Sequence, residues 1–350
     1  MAKNNVAYDP YDIAYQDILT DFIDSREITL NQFIKQMSLH YRDELVMQLT
    51  RKFTLESESS MVQKEGMEFL YMNGYDDDLR ILIQKNFHSM NMANNRWAYV
   101  YELLLERKRR LRSPRQLIHL VEKVETESPE LKCLVGFLRI YCYYDMFEFD
   151  MLGNYLEELN ESVSEVDNPF MSALLYVRLQ QVLFIYYWKR NEIIIARKHA
   201  FRILSRTYNL DFQLNTHINL ALTYTFDSYT QAMNHLNEAV KIAKQCNQKR
   251  LLSMIYQQNL PFISAHFGMV DGIASDDPSE QAHIEIAKQN FVGASKILDN
   301  VSINSPFRKY YLGLAHQDKD ILLEAHKDFI EKRSDYFFSK LPLNAIQQFC

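Results

Sequence analysis

Residues 195–204 read IARKHAFRIL, a helical pattern with a small alanine at position 196 and a second core-type residue four positions later. Three further segments repeat this arrangement: residues 231–239 (QAMNHLNEA), 293–298 (GASKIL) and 324–329 (EAHKDF). Their alanines, at positions 196, 232, 294 and 325, are 36, 62 and 31 residues apart, close to one, two and one tetratricopeptide units of about 34 residues. Because a single hairpin cannot cover its apolar face, the pattern predicts an all-α, tetratricopeptide-like helical-repeat superhelix. Its concave surface is of the kind that holds peptides or protein segments.

Glycine and proline are scarce, which supports a helical fold. The chain has 350 residues with 8 Gly and 8 Pro, well below the usual shares of about 7% and about 5%. Five capping residues are followed directly by proline: Ser113-Pro114, Ser128-Pro129, Asn168-Pro169, Asp277-Pro278 and Ser305-Pro306. The cap oxygen can accept an unpaired backbone N–H, and proline at the first helical position loses no hydrogen bond. We expect a helix to begin at each pair.

An interruption of the apolar pattern at residues 56–60 (ESESS) divides the chain. We predict a short N-terminal helical segment over residues 1–55 and a superhelical domain with a concave channel over residues 56–350. The basic run at residues 107–115 (RKRRLRSPR) can be interpreted as a phosphate-binding patch. We favour a helix end, where cations offset the negative end of the helix dipole.

The net charge and the cysteine spacing restrict the partners and the cellular compartment that we expect for this protein. The formal net charge of −6 is opposite to the basic surface that phosphate binding favours. Four cysteines lie far apart with no C-x-x-C spacing, which indicates reduced thiols in a cytosol. No run approaches about 18 uninterrupted apolar residues, and the N-terminus lacks a secretory signal pattern. We therefore predict a cytoplasmic protein that does not contact a membrane.

Enzymatic motifs are absent from the sequence. It contains no Gly-rich phosphate loop, G-x-S-x-G elbow, H-E-x-x-H or EF-hand loop, so we predict a non-enzymatic protein without a cofactor. Glu280 and His283 form one isolated Glu-x-x-His, whereas a di-iron bundle needs a second copy and further carboxylates. We interpret this motif as a capped first helical turn with a histidine on its side, and predict no metal site.

Three C-terminal segments resemble one family in type and order: residues 254–262 (MIYQQNLPF), 280–283 (EQAH) at a helix start, and 333–343 (RSDYFFSKLPL). The chain resembles the AimR family of arbitrium peptide receptors of Bacillus phages, within the wider class of Rap-like peptide-sensing regulators. The resemblance extends from about Thr29 to the end of the sequence. It implies a superhelix that binds a short, arginine-containing signal peptide in its channel, in quorum sensing between phages that choose between lysis and lysogeny.

The resemblance also assigns residues. Glu280 and Asp335 match the acidic positions that receive the peptide arginine, and Asn304 and Phe262 match polar and aromatic positions of the pocket. Two carboxylates can hold a guanidinium by charge-assisted, bidentate hydrogen bonds. Without the resemblance, the preferred interpretation of both acids is that each stabilises a helix N-terminus.

Other positions depart from the family. Relatives carry asparagines that bind the peptide backbone and an arginine that binds the peptide carboxylate. At those positions this chain has Ile185, Lys189, Leu222 and Asp211. We predict that Lys189 binds the peptide carboxylate as a point charge. Asn219, or Asn215, would then supply amide contacts.

Members of the family regulate transcription as homodimers that bind DNA. Here the segment ahead of Thr29 is acidic and too short for the first helices of the helix-turn-helix domain of relatives. We therefore rank a protein target ahead of DNA, and leave a homodimer open. The rival hypotheses are a peptide-controlled DNA-binding regulator, reading DNA through residues 29–51 and 107–115, and a scaffold that senses no peptide.

Overall fold

The computed structural model describes Leu19, Phe22 and residues 28–207 and 209–348. The regular elements in these residues are all helical, with no strand among them, so the all-α prediction is confirmed. The acidic stretch ahead of Thr29 lies outside the described residues, apart from Leu19, Phe22 and Ile28. The chain divides into two compact units: unit 1 comprises residues 1–139 and 161–175, and unit 2 comprises residues 140–160 and 176–350.

Most helices follow one another with short connections, and the loop over residues 267–277 is the longest between helices of unit 2. Those within unit 1 are α1 (Leu30–Ser38), α2 (Asp43–Glu56), α3 (Ser60–Met72), α4 (Asp76–Phe87), α5 (Met92–Arg109) and α6 (Pro114–Val121). The division between units passes within α7 (Pro129–Asp145), α8 (Asp150–Ser164) and α9 (Pro169–Lys189). Unit 2 continues with α10 (Ile193–Leu204), α11 (Leu210–Thr223), α12 (Tyr229–Gln245), α13 (Lys249–Met254), α14 (Leu260–His266), α15 (Pro278–Ala287), α16 (Phe291–Leu298), α17 (Pro306–His316), α18 (Lys319–Glu331) and α19 (Lys340–Gln348).

Helices begin at all five pairs of a capping residue and proline, as the sequence predicts. Asp277 shows the geometry: its side chain accepts the backbone N–H of Ser279 at 2.8 Å. The Ser305 hydroxyl likewise accepts the N–H of Arg308 at 3.3 Å. Local capping chemistry therefore fixes where these helices start.

The alanines of the repeat pattern are packed as expected. Ala196, Ala232, Ala294 and Ala325 are all fully buried. Consecutive helices pack in pairs, including α11 with α12, α15 with α16, and α17 with α18. Gly313 shows how closely two such helices approach, because a Cβ there would lie 2.8 Å from the side chain of Leu322.

A single π turn, Ile255–Asn259, joins α13 to α14. Pro261 lies two residues after the turn and has no N–H to donate to the carbonyl of Gln257 four residues earlier. That carbonyl instead accepts the Ser275 hydroxyl at 2.7 Å. The turn brings Asn259 to the wall of the cavity described below.

The basic run forms a helix end, which is the interpretation that we favoured. Helix α5 ends at Arg109, and Arg110 takes a left-handed conformation with φ of 57°. Lys108 pairs with Asp76 at 2.9 Å, and Arg112 pairs with Glu106 at 2.6 Å. Two of the six basic side chains of this run are therefore paired with nearby acids. Throughout the described residues, the helices are too short or too polar to span a bilayer.

Candidate functional site

A cavity of about 330 Å³ lies within unit 2. Its walls come from the end of α9, from α11, the π turn, α14, α15 and α17, and from the segments around residues 144–149 and 333–338. Five of the six predicted site residues line it, namely Lys189, Asn219, Phe262, Glu280 and Asp335. The fold thus brings together residues that are distant in sequence.

Asn304 is placed elsewhere. It is exposed, does not line the cavity, and accepts a hydrogen bond from Arg308 Nη1 at 3.1 Å. Arg308 also donates to Ser279 and to the backbone carbonyl of Ser302. In this structure Asn304 therefore helps to position Arg308 at the start of α17.

Lys189 and Asp335 form a buried ion pair. Their side chains are 8% and 2% exposed, and Lys189 Nζ lies 2.6 Å from Asp335 Oδ2. The ammonium also lies over the rings of Trp188 at 4.1 Å, Phe149 at 4.7 Å and Phe338 at 4.9 Å. Burial lowers the pKa of Lys189, and the charge of Asp335 opposes that shift. From the sequence we expected Lys189 to bind the peptide carboxylate and Asp335 to bind the peptide arginine. In the structure the two side chains bind each other.

The backbone holds this pair in place. Helix α18 is followed by Ser334 in a left-handed conformation, with φ of 51°, which turns the chain toward α9. The N–H of Tyr336 then donates to the carbonyl of Lys189 at 2.8 Å. Asp335 Oδ1 accepts the N–H of Phe338 at 3.1 Å, so both carboxylate oxygens are bonded within the chain.

Glu280 is the other acid of the cavity, and one of its oxygens has no partner. It lies in the first turn of α15 and is 12% exposed. Glu280 Oε1 accepts the Tyr311 hydroxyl at 3.0 Å. Burial and the charge of Glu280 raise the pKa of Tyr311 well above its usual value, so the hydroxyl stays a donor. Glu280 Oε2 is buried without a hydrogen-bond partner in the part of the chain that the structure describes.

His283 is the nearest basic group to that oxygen. Its Nδ1 lies 3.7 Å from Glu280 Oε2, and also lacks a hydrogen-bond partner among the described residues. The ring is 3% exposed and stacks on Tyr311 with centroids 4.3 Å apart. His283 is thus much more deeply buried than its interpretation as a side-facing residue suggested.

Two further buried polar atoms of the cavity walls lack partners. Asn259 Oδ1 is an acceptor from the π turn, and Trp188 Nε1 is a donor from α9; neither is hydrogen-bonded within the described residues. A buried polar group left unpaired costs about 1–3 kcal/mol. A bound molecule that paired with these atoms and with Glu280 would recover that free energy.

The remaining wall is aromatic and carries one cation. Phe262 packs edge-to-face on Phe307 and Phe338, with centroids 5.7 and 5.8 Å apart. Arg333 is half-buried, with Cζ 4.3 Å from the ring centroid of Phe147. Burial lowers the pKa of Arg333, and the charge of Asp335 opposes that shift.

Sequence reasoning did not assign Trp188, Asn259, Tyr311 or Arg333 to the site. Trp188 lies in the last turn of α9 and is 2% exposed. Asn259 and Arg333 lie inside two of the quoted C-terminal segments, which was the available signal. Among the described residues, no group of three or more His, Cys, Asp or Glu side chains is placed to hold a metal ion.

Comparison with protein families identifies one that covers most of the chain. The model of the family described as "AimR transcriptional regulator-like" matches residues 46–348. An uncharacterized protein of Bacillus anthracis is 27% identical over 230 residues, which cover 62% of this chain and 84% of that protein. The AimR transcriptional regulator of Bacillus phage SPbeta is 21% identical over 347 residues, which cover 94% of this chain and 88% of the relative.

Solved structures show the same fold. A structure of phAimR with ligand superposes with a TM-score of 0.77 at 20% identity, covering 92% of this chain and 98% of that one. The selenomethionine form of phAimR gives a TM-score of 0.67 at 20% identity, with 96% and 93% covered.

Proposed function

The chain belongs to the AimR transcriptional regulator-like family, and from this premise we propose that it is a cytoplasmic, non-enzymatic, peptide-sensing regulator. Its ligand would be a short peptide with an arginine, bound in the cavity of unit 2. The biological setting would be communication between phages or prophages over lysis and lysogeny, which is what the family resemblance implies.

The observation that carries the proposal is the unpaired carboxylate oxygen of Glu280. An anionic oxygen that is buried beside a cavity has strong affinity for a donor with positive charge. A guanidinium offers five N–H donors and no acceptor, so it suits a wall with two unpaired acceptors, Glu280 Oε2 and Asn259 Oδ1. The ring of Phe262 would add an apolar face.

Binding would control the protein by shifting its population between conformations that differ in peptide affinity. We further propose that the regulated partner is a protein. Two features support this: the net charge of −6, and the local pairing of the basic run through Lys108 and Arg112. Both features reduce the positive potential that binding to a phosphate backbone requires.

Calorimetry with short arginine-containing peptides tests the ligand. Glu280→Gln should weaken the binding of such a peptide about tenfold or more, because a buried charge pair loses one partner. Glu157→Gln is the matched control, since Glu157 is exposed on α8 and does not line the cavity. The absence of heat with every peptide would favour a scaffold that senses no peptide.

The partner needs a separate experiment. Pull-downs from host cells with and without nuclease would separate a protein partner from one held through DNA. DNA binding that is sequence-dependent and falls steeply with salt would instead favour the DNA-binding alternative.

A further inference from the structure

The charged side chains that line the cavity are two cations and two anions: Lys189, Arg333, Glu280 and Asp335. Lys189 and Asp335 neutralise one another at 2.6 Å, and both are nearly closed to solvent. This leaves one cation and one anion, Arg333 and Glu280. Neither is paired with an oppositely charged Lys, Arg, Asp or Glu side chain of the described residues.

Arg333 is positioned to meet a ligand. Its backbone carbonyl accepts the N–H of Phe149 at 3.3 Å, which anchors the residue. Its guanidinium lies against the ring of Phe147, another residue of the cavity wall. Contact with a ring face occupies none of the five N–H donors of a guanidinium.

Lys189 is poorly placed for the same task. Its ammonium is bonded to Asp335 and surrounded by three aromatic rings. An incoming anion would have to pass these rings and compete with Asp335 for the ammonium, and loss of the ion pair would leave Asp335 uncompensated, which is strongly unfavourable. A half-buried guanidinium without an ionic partner gains from the same anion, with two parallel hydrogen bonds to a carboxylate.

We propose that Arg333 binds a carboxylate of the ligand, so that the cavity recognises a zwitterionic peptide with its cationic side chain at Glu280 and its carboxylate at Arg333. This assignment rests on the proposed function. It replaces Lys189, the residue expected from the sequence, with Arg333. The Lys189–Asp335 pair then forms part of the wall and contacts neither charge of the ligand.

The test uses the full chain and synthetic tri- to hexapeptides that contain one arginine and otherwise uncharged side chains. Each peptide is made as the C-terminal acid and as the C-terminal amide. A second set of amides carries one aspartate or glutamate, which separates a side-chain carboxylate from the chain terminus. Affinities are measured by calorimetry for the unmodified protein, for Arg333→Gln and for Arg190→Gln. Arg190 is the control, because it is 52% exposed and lies outside this cavity.

We expect peptides with a carboxylate, from either source, to bind the unmodified protein about tenfold or more tightly than neutral amides. In Arg333→Gln this preference should fall to near unity, whereas Arg190→Gln should retain it. The preference of the unmodified protein needs no variant, so it remains informative if Arg333→Gln fails to fold.

Two results would overturn the assignment. Equal binding of all forms to the unmodified protein, with Glu280→Gln still weakening them, would refute the role of Arg333 and leave the proposed function standing. Failure of every peptide to bind would refute both.

Discussion

Lys189 and Asp335, which are 146 positions apart in sequence, form an ion pair that is almost closed to water. The pair joins the end of α9 to the turn after α18, and the hydrogen bond from Tyr336 N to Lys189 O at 2.8 Å reinforces it. One wall of the cavity is therefore held by an ion pair within the protein, which forms without a bound peptide.

Removing one member of this pair should destabilise the protein. Lys189→Met leaves the Asp335 carboxylate buried and uncompensated, and should lower the free energy of unfolding by about 3–5 kcal/mol. Urea titration followed by circular dichroism measures the change. The double variant Lys189→Met/Asp335→Asn should recover much of the loss, because no unpaired charge remains and Asn keeps an oxygen for Phe338 N. A double variant no more stable than Lys189→Met would contradict this account.

Acidification should destabilise the fold through three histidines that are buried or half-buried. Burial lowers the pKa of His199, His235 and His266 from 6.5 to about 4. Between about pH 6.5 and pH 4 the unfolded chain therefore binds protons that the folded chain does not. The stability that these neutral rings contribute is complete above pH 6.5 and declines as the pH falls toward 4. Free energies of unfolding at several pH values across this window should decrease steadily.

Single replacements would identify the source of that pH dependence. His235→Gln should flatten the slope between pH 6.5 and pH 4. His119→Gln, at an exposed position of α6, should leave the slope unchanged. Equal slopes for the unmodified protein and His235→Gln would count against a role for His235.

The approach of α17 to α18 leaves no room for a methyl group at Gly313. In Gly313→Ala the added carbon would lie 2.8 Å from Leu322 side-chain carbons and 3.1 Å from the Leu322 backbone nitrogen. Overpacking of this kind costs about 1–3 kcal/mol, which should outweigh the better helix propensity of alanine. Thermal unfolding reports the loss. Asn237→Ala, at an exposed position of α12, should shift stability by no more than about 0.5 kcal/mol.

The hydrogen bond from Ser275 to Gln257 can be tested by a double-mutant cycle. Ser275→Ala leaves the carbonyl of Gln257 without its donor, and should lower stability by about 1–2 kcal/mol. Pro261→Ala restores an N–H four residues beyond that carbonyl. The double variant should therefore lose less than the sum of the two single losses, as measured by urea titration. Strictly additive losses would show that Ser275 and Pro261 do not act on the same carbonyl.

Local sequence signals accounted for much of the fold. A cap oxygen and a preset proline determine a helix start within a few residues, so pairs such as Asp277-Pro278 were predictable. The buried alanines were also predictable, because close helix packing requires a small side chain at regular spacing. The π turn was not, since the donor to the Gln257 carbonyl, which Pro261 cannot supply, is the hydroxyl of Ser275, 18 residues further along the chain.

The site was predictable only in part, for a different reason. The family resemblance brought Glu280, Asp335 and Phe262 to attention, and the fold places all three on one cavity. Which residue each charged side chain pairs with is determined by the tertiary fold. Nothing near Lys189 in sequence indicates that it meets Asp335, and nothing near Asn304 distinguishes a ligand contact from its bond to Arg308.

The hydrogen bond from the Ser275 hydroxyl also connects two walls of the cavity. It attaches the loop that leads into α15 to the π turn, and Asp276 N adds a second attachment at Gln257 Oε1, 2.5 Å away. The loop therefore links the wall that carries Asn259 to the wall that carries Glu280. If the chain binds a peptide there as proposed, substitutions in this loop would change the width of the cavity, and with it the size of peptide admitted, without altering any residue that lines the cavity.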